Sequence, residues 1–219
     1  MKQILEFLEK SGLEENTIIV FTSDNGPENS WKGRIDEFGH HSNYIYRGGK
    51  RDIYEGGHRV PFFVRWPAGI IQPGRSWDKI VGQVDLLATF AEIIGVELPE
   101  NAGEDSQSFA PVLFNKIEEY QRLPLINHSA SGRFAITEGN WKLILPEGEI
   151  GIELYNLSDD PSEKRNVAEL HPEIVKKLKE KVTDIVCNGR TTLGESQQND
   201  TGYWNHLTWM SKEEYYKHQ

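Results

Sequence analysis

Thr17-Ile-Ile-Val-Phe-Thr-Ser-Asp-Asn-Gly-Pro27 is an apolar run that passes directly into a carboxylate, a carboxamide and a turn. Ile18 to Phe21 are apolar on both faces, the pattern of a strand in a parallel sheet with helices on either side. Before it, Ile4, Leu5, Phe7 and Leu8 stand at helical spacing among charges, which predicts a helix over 2–10 that ends at Ser11-Gly12. Helix followed by buried strand predicts an α/β layer. After it comes Arg47-Gly-Gly-Lys-Arg-Asp-Ile-Tyr-Glu-Gly-Gly-His-Arg-Val-Pro61, a basic, glycine-rich segment that opens a second apolar strand over 60–66. The intervening 26–47 reads as a long polar loop. Such loops are usually functional or disordered, and Trp31, His40, His41 and Tyr44 favour function here.

The totals narrow the possibilities. A chain of 219 residues with 37% hydrophobic and 11% aromatic content can bury a core. Its formal charge of −10 argues against a nucleic-acid partner. Within that acidic background, 47–65 holds five Lys/Arg against Asp52 and Glu55, which suits a small anion or a merely solvated basic face. No apolar run is long enough to span a membrane. The lone cysteine, Cys187, permits no intramolecular disulfide framework. Asn127, Asn156 and Asn199 open Asn-x-Ser/Thr patterns, which are too short to fix a compartment.

Further along, Leu86, Leu87, Phe90, Ile93 and Ile94 predict a helix over 85–96, and 97–122 is turn-rich. Strands are expected over 123–127, 133–138, 141–145 and 152–157, with Glu138-Gly139-Asn140 closing a hairpin. Ile174, Leu178, Val182 and Ile185 predict a closing helix over 172–186, and the aromatic tail is expected to wrap the body. The expected division is an α/β part over 1–120 and a subdomain of antiparallel strands plus helix over 121–219.

Asp24 and Asn25 fall at the carboxyl end of the first strand, where open α/β sheets place ligands. Their adjacent oxygens are hard donors suited to Ca²⁺ or Mg²⁺; Asp-Asn-Gly is equally a turn signal. Gly48-Gly49-Lys50 lets backbone approach a ligand and offers an ammonium to an oxyanion. The same glycines could simply form a tight corner, and His58 could be a structural histidine. The spacing is not that of a P-loop.

Thr-Ser-Asp-Asn-Gly-Pro-Glu paired with Arg-Gly-Gly-Lys-Arg-Asp-Ile-Tyr-Glu-Gly-Gly-His-Arg-Val-Pro-Phe-Phe-Val-Arg-Trp-Pro resembles the formylglycine-dependent sulfatases of the arylsulfatase type. These belong to the alkaline-phosphatase-like superfamily. Gln83-Val-Asp-Leu-Leu-Ala-Thr-Phe, Gly132-Arg-Phe-Ala-Ile, Trp141-Lys-Leu-Ile and Leu154-Tyr-Asn-Leu-Ser-Asp-Asp-Pro-Ser-Glu are similar to that family's C-terminal stretch. The resemblance implies part of a sulfatase sheet covered by helices, then a small antiparallel sheet. It implies Asp24 and Asn25 as calcium ligands and Lys50 on the sulfate oxygens. His128 and Arg47 are implied near substrate, with His40 and His41 on the bordering loop.

The family's nucleophile motif, Cys/Ser-x-Pro/Ala-Ser/Ala-Arg, does not occur here. Cys187-Asn-Gly-Arg-Thr has glycine where proline or alanine is needed, so Cys187 reads as a structural thiol and no catalytic residue is assigned. The chain therefore resembles the C-terminal portion of a sulfatase, expected to be inactive alone and to need the N-terminal half. A sulfated small molecule or glycan is the expected substrate. The compartment would be periplasmic or extracellular if a signal peptide directs the full-length protein. Two other readings remain: a phosphoryl or phosphonate ester hydrolase of the same superfamily, and a relic that binds anionic glycans through Lys50, Arg51 and Arg59.

Overall fold

A computed structural model describes residues 1–218; Gln219, the end of the expected second part, lies outside the described residues. Helix α1 (Lys2–Lys10) leads to β1 (Ile19–Thr22), then α2 (Trp31–Phe38), α3 (Glu55–His58) and β2 (Phe62–Arg65). Helices α4 (Leu86–Ile94) and α5 (Ala110–Leu113) complete the front. The back is β3 (Leu125–His128), β4 (Phe134–Glu138), β5 (Trp141–Ile144), β6 (Glu153–Asn156), α6 (Pro172–Asn188) and α7 (Lys212–His218).

Two expectations are corrected. β1 and β2 pair antiparallel, Val20 opposite Val64, instead of joining a parallel sheet. The two strands contact each other as a two-stranded ribbon, and Phe21 and Phe63 on it remain 50% and 63% exposed. The 26–47 segment is not all loop either, since Trp31–Phe38 forms α2. No residue of α2 is buried, so its sequence lacks the apolar stripe that would have announced it.

The four-stranded sheet runs β3-β4-β5-β6, antiparallel throughout, and Glu138 pairs with Trp141 across the two-residue turn at 139–140. Period-two alternation gives its faces different chemistry. Ile136, Leu143 and Leu154 line one face and pack with Leu178 and Val182 of α6 and with Trp209, Met210 and Tyr215 of the tail. Burying each such side chain contributes about 1.5–3 kcal/mol. Ala135, Ile144 and Tyr155 line the other face against Ile53, bringing the basic loop onto the sheet. Proline at the first position of α6 suits its free N-terminal turn. At the front, Phe109, Val112, Leu113 and Tyr120 form a separate cluster with Phe62, Val64 and Leu86.

No helix among the described residues is long and apolar enough to cross a membrane. Cys187 is buried and free, and burial pushes its thiol pKa up, the condition of a structural cysteine.

Candidate functional site

Two backbone bonds make the site. The Gly26 N–H donates to the Gly57 carbonyl at 2.9 Å, and the Lys50 N–H to the Pro27 carbonyl at 2.9 Å. The turn after β1 is thus stitched to the segment before β2. A methyl group on Gly26 would overlap the Gly56 carbonyl, and one on Gly56 would overlap the carbonyls of Arg47 and Gly48. Only glycine permits backbones this close. Gln83, just ahead of α4, closes the edge: its amide donates to Thr22 Oγ1 at 3.0 Å and to the Ser23 carbonyl.

The crossing gathers Asp24, Asn25, Glu28, Lys50 and Arg51. Asp24 is exposed and Asn25 half-buried. Ser23 Oγ donates to the Asn25 carbonyl at 2.8 Å, and Asn25 Nδ2 donates to the Gly26 carbonyl at 3.1 Å. That bond leaves the carboxamide oxygen as the atom Asn25 can turn to a cation. The two oxygens have the right chemistry for calcium but are few, since the ion takes about six to eight. Among the described residues no cluster of three or more His, Cys, Asp or Glu is placed to hold a metal.

Lys50 Nζ lies 3.5 Å from Glu28 Oε2, while Arg51 Nη1 donates to Glu28 Oε1 at 2.6 Å. The Arg51 bond, with the Asn29 N–H and the nearby cations, lowers the Glu28 carboxyl pKa to about 2. Glu28 is therefore ionised across the physiological range. Its contact with Lys50 is loose and open to water, so an incoming oxyanion can compete for the ammonium.

Arg47 and His128 were expected beside substrate. Arg47 is turned toward the sheet: its Nη1 donates to Tyr155 Oη at 3.1 Å, to the Glu163 carbonyl at 3.0 Å and to Glu153 at 3.4 Å. Its guanidinium also stacks 3.6 Å from the Tyr54 ring centroid. The cause is Glu153, a nearly buried carboxylate that needs cations. Burial alone would raise its pKa, but hydrogen bonds from Tyr155, Arg133 and Tyr54 hold it below the ordinary value. Arg47 ties the basic loop to the sheet.

His128 is exposed at the end of β3, with Nδ1 2.9 Å from the Ser129 carbonyl. The Ala130 N–H donates to the Arg51 carbonyl at 3.0 Å, which seats this turn against the basic loop. His40 and His41 lie on exposed backbone just beyond α2. His58, below the crossing, has its pKa lowered to about 4 by burial first and then by Lys142, so it is neutral at physiological pH. Its Nε2 is buried without a hydrogen-bond partner.

Sequence reasoning passed over Glu28, Lys142 and Glu163. Lys142 Nζ donates to Glu55 at 3.0 Å and lies 2.9 Å from Glu163 Oε1, in ion contact but off the line of a hydrogen bond. Glu163 Oε2 meanwhile accepts from the Glu55 N–H at 2.6 Å. The available signal was Lys142 in mid-strand, where alternation puts it on the Tyr155 face.

Residues 1–96 match the sulfatase family model. An N-acetylgalactosamine-6-O-sulfatase of Bacteroides thetaiotaomicron is 37% identical over 201 residues, covering 84% of this chain and 39% of that protein. A solved structure from work on glycosaminoglycan metabolism by the same bacterium superposes with a TM-score of 0.72 at 36% identity, covering 84% of this chain and 42% of that one. Another, in complex with its substrate D-glucosamine-2-N,6-O-disulfate, has a TM-score of 0.62 at 30% identity and covers 82% of this chain and 35% of that one. The chain spans roughly two-fifths of the length of these relatives.

Proposed function

Because the chain belongs to the sulfatase family, we propose that it supplies the C-terminal part of a calcium-assisted sulfuric ester hydrolase. Lys50 holds the sulfate oxygens, and Asp24 and Asn25 contribute to the cation site. The observation carrying this reading is the pair of backbone bonds that sets the Asp24–Asn25 turn beside Lys50.

Hydrolysis of a sulfate ester gathers negative charge on the sulfate and leaving oxygens. An ammonium already standing at the site stabilises that charge as it develops. Calcium, when bound by Asp24 and Asn25 with further ligands, would act as a Lewis acid on the ester oxygens. The Glu28 carboxylate keeps Lys50 oriented until an anion arrives. The nucleophile and remaining cation ligands come, on this reading, from the part of the domain that the relatives carry beyond the matched region. On this reading that part seats against apolar side chains that the front elements leave exposed, among them Phe21 of β1, Phe63 of β2 and Ile94 of α4.

The substrate is a sulfated sugar or glycan, the class named for the Bacteroides relative and for the structure in complex with D-glucosamine-2-N,6-O-disulfate. These relatives favour sulfuric esters over the phosphoryl and phosphonate esters that the superfamily also allows. A chimera in which this chain replaces the matching portion of the Bacteroides sulfatase tests the reading. It should hydrolyse N-acetylgalactosamine 6-sulfate in calcium, and Lys50→Ala should lower kcat/KM by roughly a hundredfold. The 219-residue chain alone should show no turnover. A folded, calcium-loaded chimera that is inactive, or indifferent to Lys50→Ala, would refute it.

A further inference from the structure

Beside the basic loop lies a group of rings that the chemistry above does not use. Trp204, in the tail, packs edge-on against His128 of β3 at 6.0 Å between centroids and against Phe134 of β4 at 5.6 Å. His206 tilts against Trp204 at 4.6 Å. Trp204 remains 37% exposed, and His128 and His206 are both exposed.

This exposure is not looseness. Trp209, five positions on, is buried, donates from Nε1 to Thr183 of α6 at 3.0 Å and meets Phe134 edge-on at 5.2 Å. Leu207 is buried as well. Between these anchors and β3, the rings are held up to solvent on a packed base. Gly132, at φ +89°, clears space for His206, whose ring a side chain there would strike.

Placement gives the cluster its meaning. The turn after His128 is hydrogen-bonded through Ala130 to Arg51, the neighbour of Lys50 and partner of Glu28. Anion-binding cations and an exposed aromatic surface therefore meet at one edge. A sulfated sugar has the matching halves: a charged group, and a ring whose C–H face is apolar and slightly positive. Such a face lies well on the electron-rich face of an indole. The two flanking imidazoles can donate to or accept from ring hydroxyls.

We infer that Trp204, flanked by His128 and His206, is the platform on which the pyranose ring of a sulfated sugar rests while Lys50 holds its sulfate. The inference builds on the function proposed above and adds the group that recognises the sugar as distinct from the sulfate.

Those two contributions separate by experiment on the isotopically labelled full chain, following the Trp204 indole N–H resonance. The probes are N-acetylgalactosamine 6-sulfate, unsulfated N-acetylgalactosamine and inorganic sulfate. Both sugars should move the Trp204 signal. Trp204→Ala should weaken binding of each sugar by roughly tenfold, the upper range for one aromatic contact. Trp204→Phe, which preserves packing on Phe134, should restore most of it. Inorganic sulfate should bind the Trp204→Ala chain unchanged and be lost with Lys50→Ala. Sugar affinity unaffected by Trp204→Ala, or a Trp204 signal that neither sugar moves, overturns the platform. Sulfate binding that survives Lys50→Ala counts instead against the function proposed for Lys50.

Discussion

At Lys142, whose side chain is 1% exposed, the carboxylates of Glu55 and Glu163 converge on one ammonium. Burial raises the Glu163 carboxyl pKa, and Lys142 pulls against that rise without cancelling it. Taking the cation away leaves buried negative charge uncompensated, which typically costs about 3–5 kcal/mol. Lys142→Met should destabilise by that order in urea melts at neutral pH. The sign with pH follows from the Glu163 shift. A carboxyl whose folded-state pKa is raised takes up its proton more readily folded than unfolded, so the folded state gains as pH falls. The deficit of Lys142→Met should therefore shrink as pH drops through the raised Glu163 pKa. A deficit that is constant or grows on acidification would refute the assignment. Local pattern alone shows Lys142 on a strand but not its partners, because Glu55 and Glu163 lie 87 and 21 positions away in a chain whose folding joins them.

Among the elements, the tail shows how far a polar sequence can be structural. Trp209 is 8% exposed and binds both α6, through Thr183, and β4, through Phe134. Trp209→Ala should cost about 3–5 kcal/mol, as large aromatic truncations do, lowering the urea midpoint with little change in slope. A cost below 1 kcal/mol would mean that the tail merely rests on the body. The four strands and α6 were legible because alternation and helical spacing recur without interruption there, and Gly139-Asn140 marks its turn. The aromatic tail was expected to wrap the body, but α7 within it was not foreseen. Its seven residues bury only Tyr215, too little for a periodic signal. Direction was also misread for β1. A run apolar on both faces reports burial on two sides, and neither face of a run tells whether its hydrogen-bonded neighbour runs parallel.

For the molecule as a whole, the candidate site was legible in types of residue more than in arrangement. Asp24, Asn25 and Lys50 stand out because a hard-oxygen pair and a glycine-flanked cation are local patterns. Arg47 was expected at the substrate because its charge is local, whereas its attraction to Glu153, across 106 positions, is not. The same limit governs the surface. The chain carries a formal charge of −10, which keeps copies apart. Yet Phe21 and Phe63 lie tilted against each other at 6.2 Å while 50% and 63% exposed, and Ile94 of α4 is 72% exposed. An apolar face on an acidic body should bind an apolar dye and self-associate more strongly as salt screens the repulsion; an ionic contact would weaken. Phe21→Ser with Phe63→Ser should reduce both effects while costing about 1 kcal/mol of stability or less, since the rings are half in water already. Dye fluorescence and sedimentation of the double variant provide the measurement. Unchanged dye binding, or association that falls with added salt, would show that the Phe21–Phe63 pair is an incidental feature of the β1–β2 ribbon, and the case for the rest of a sulfatase domain seating there would fall with it.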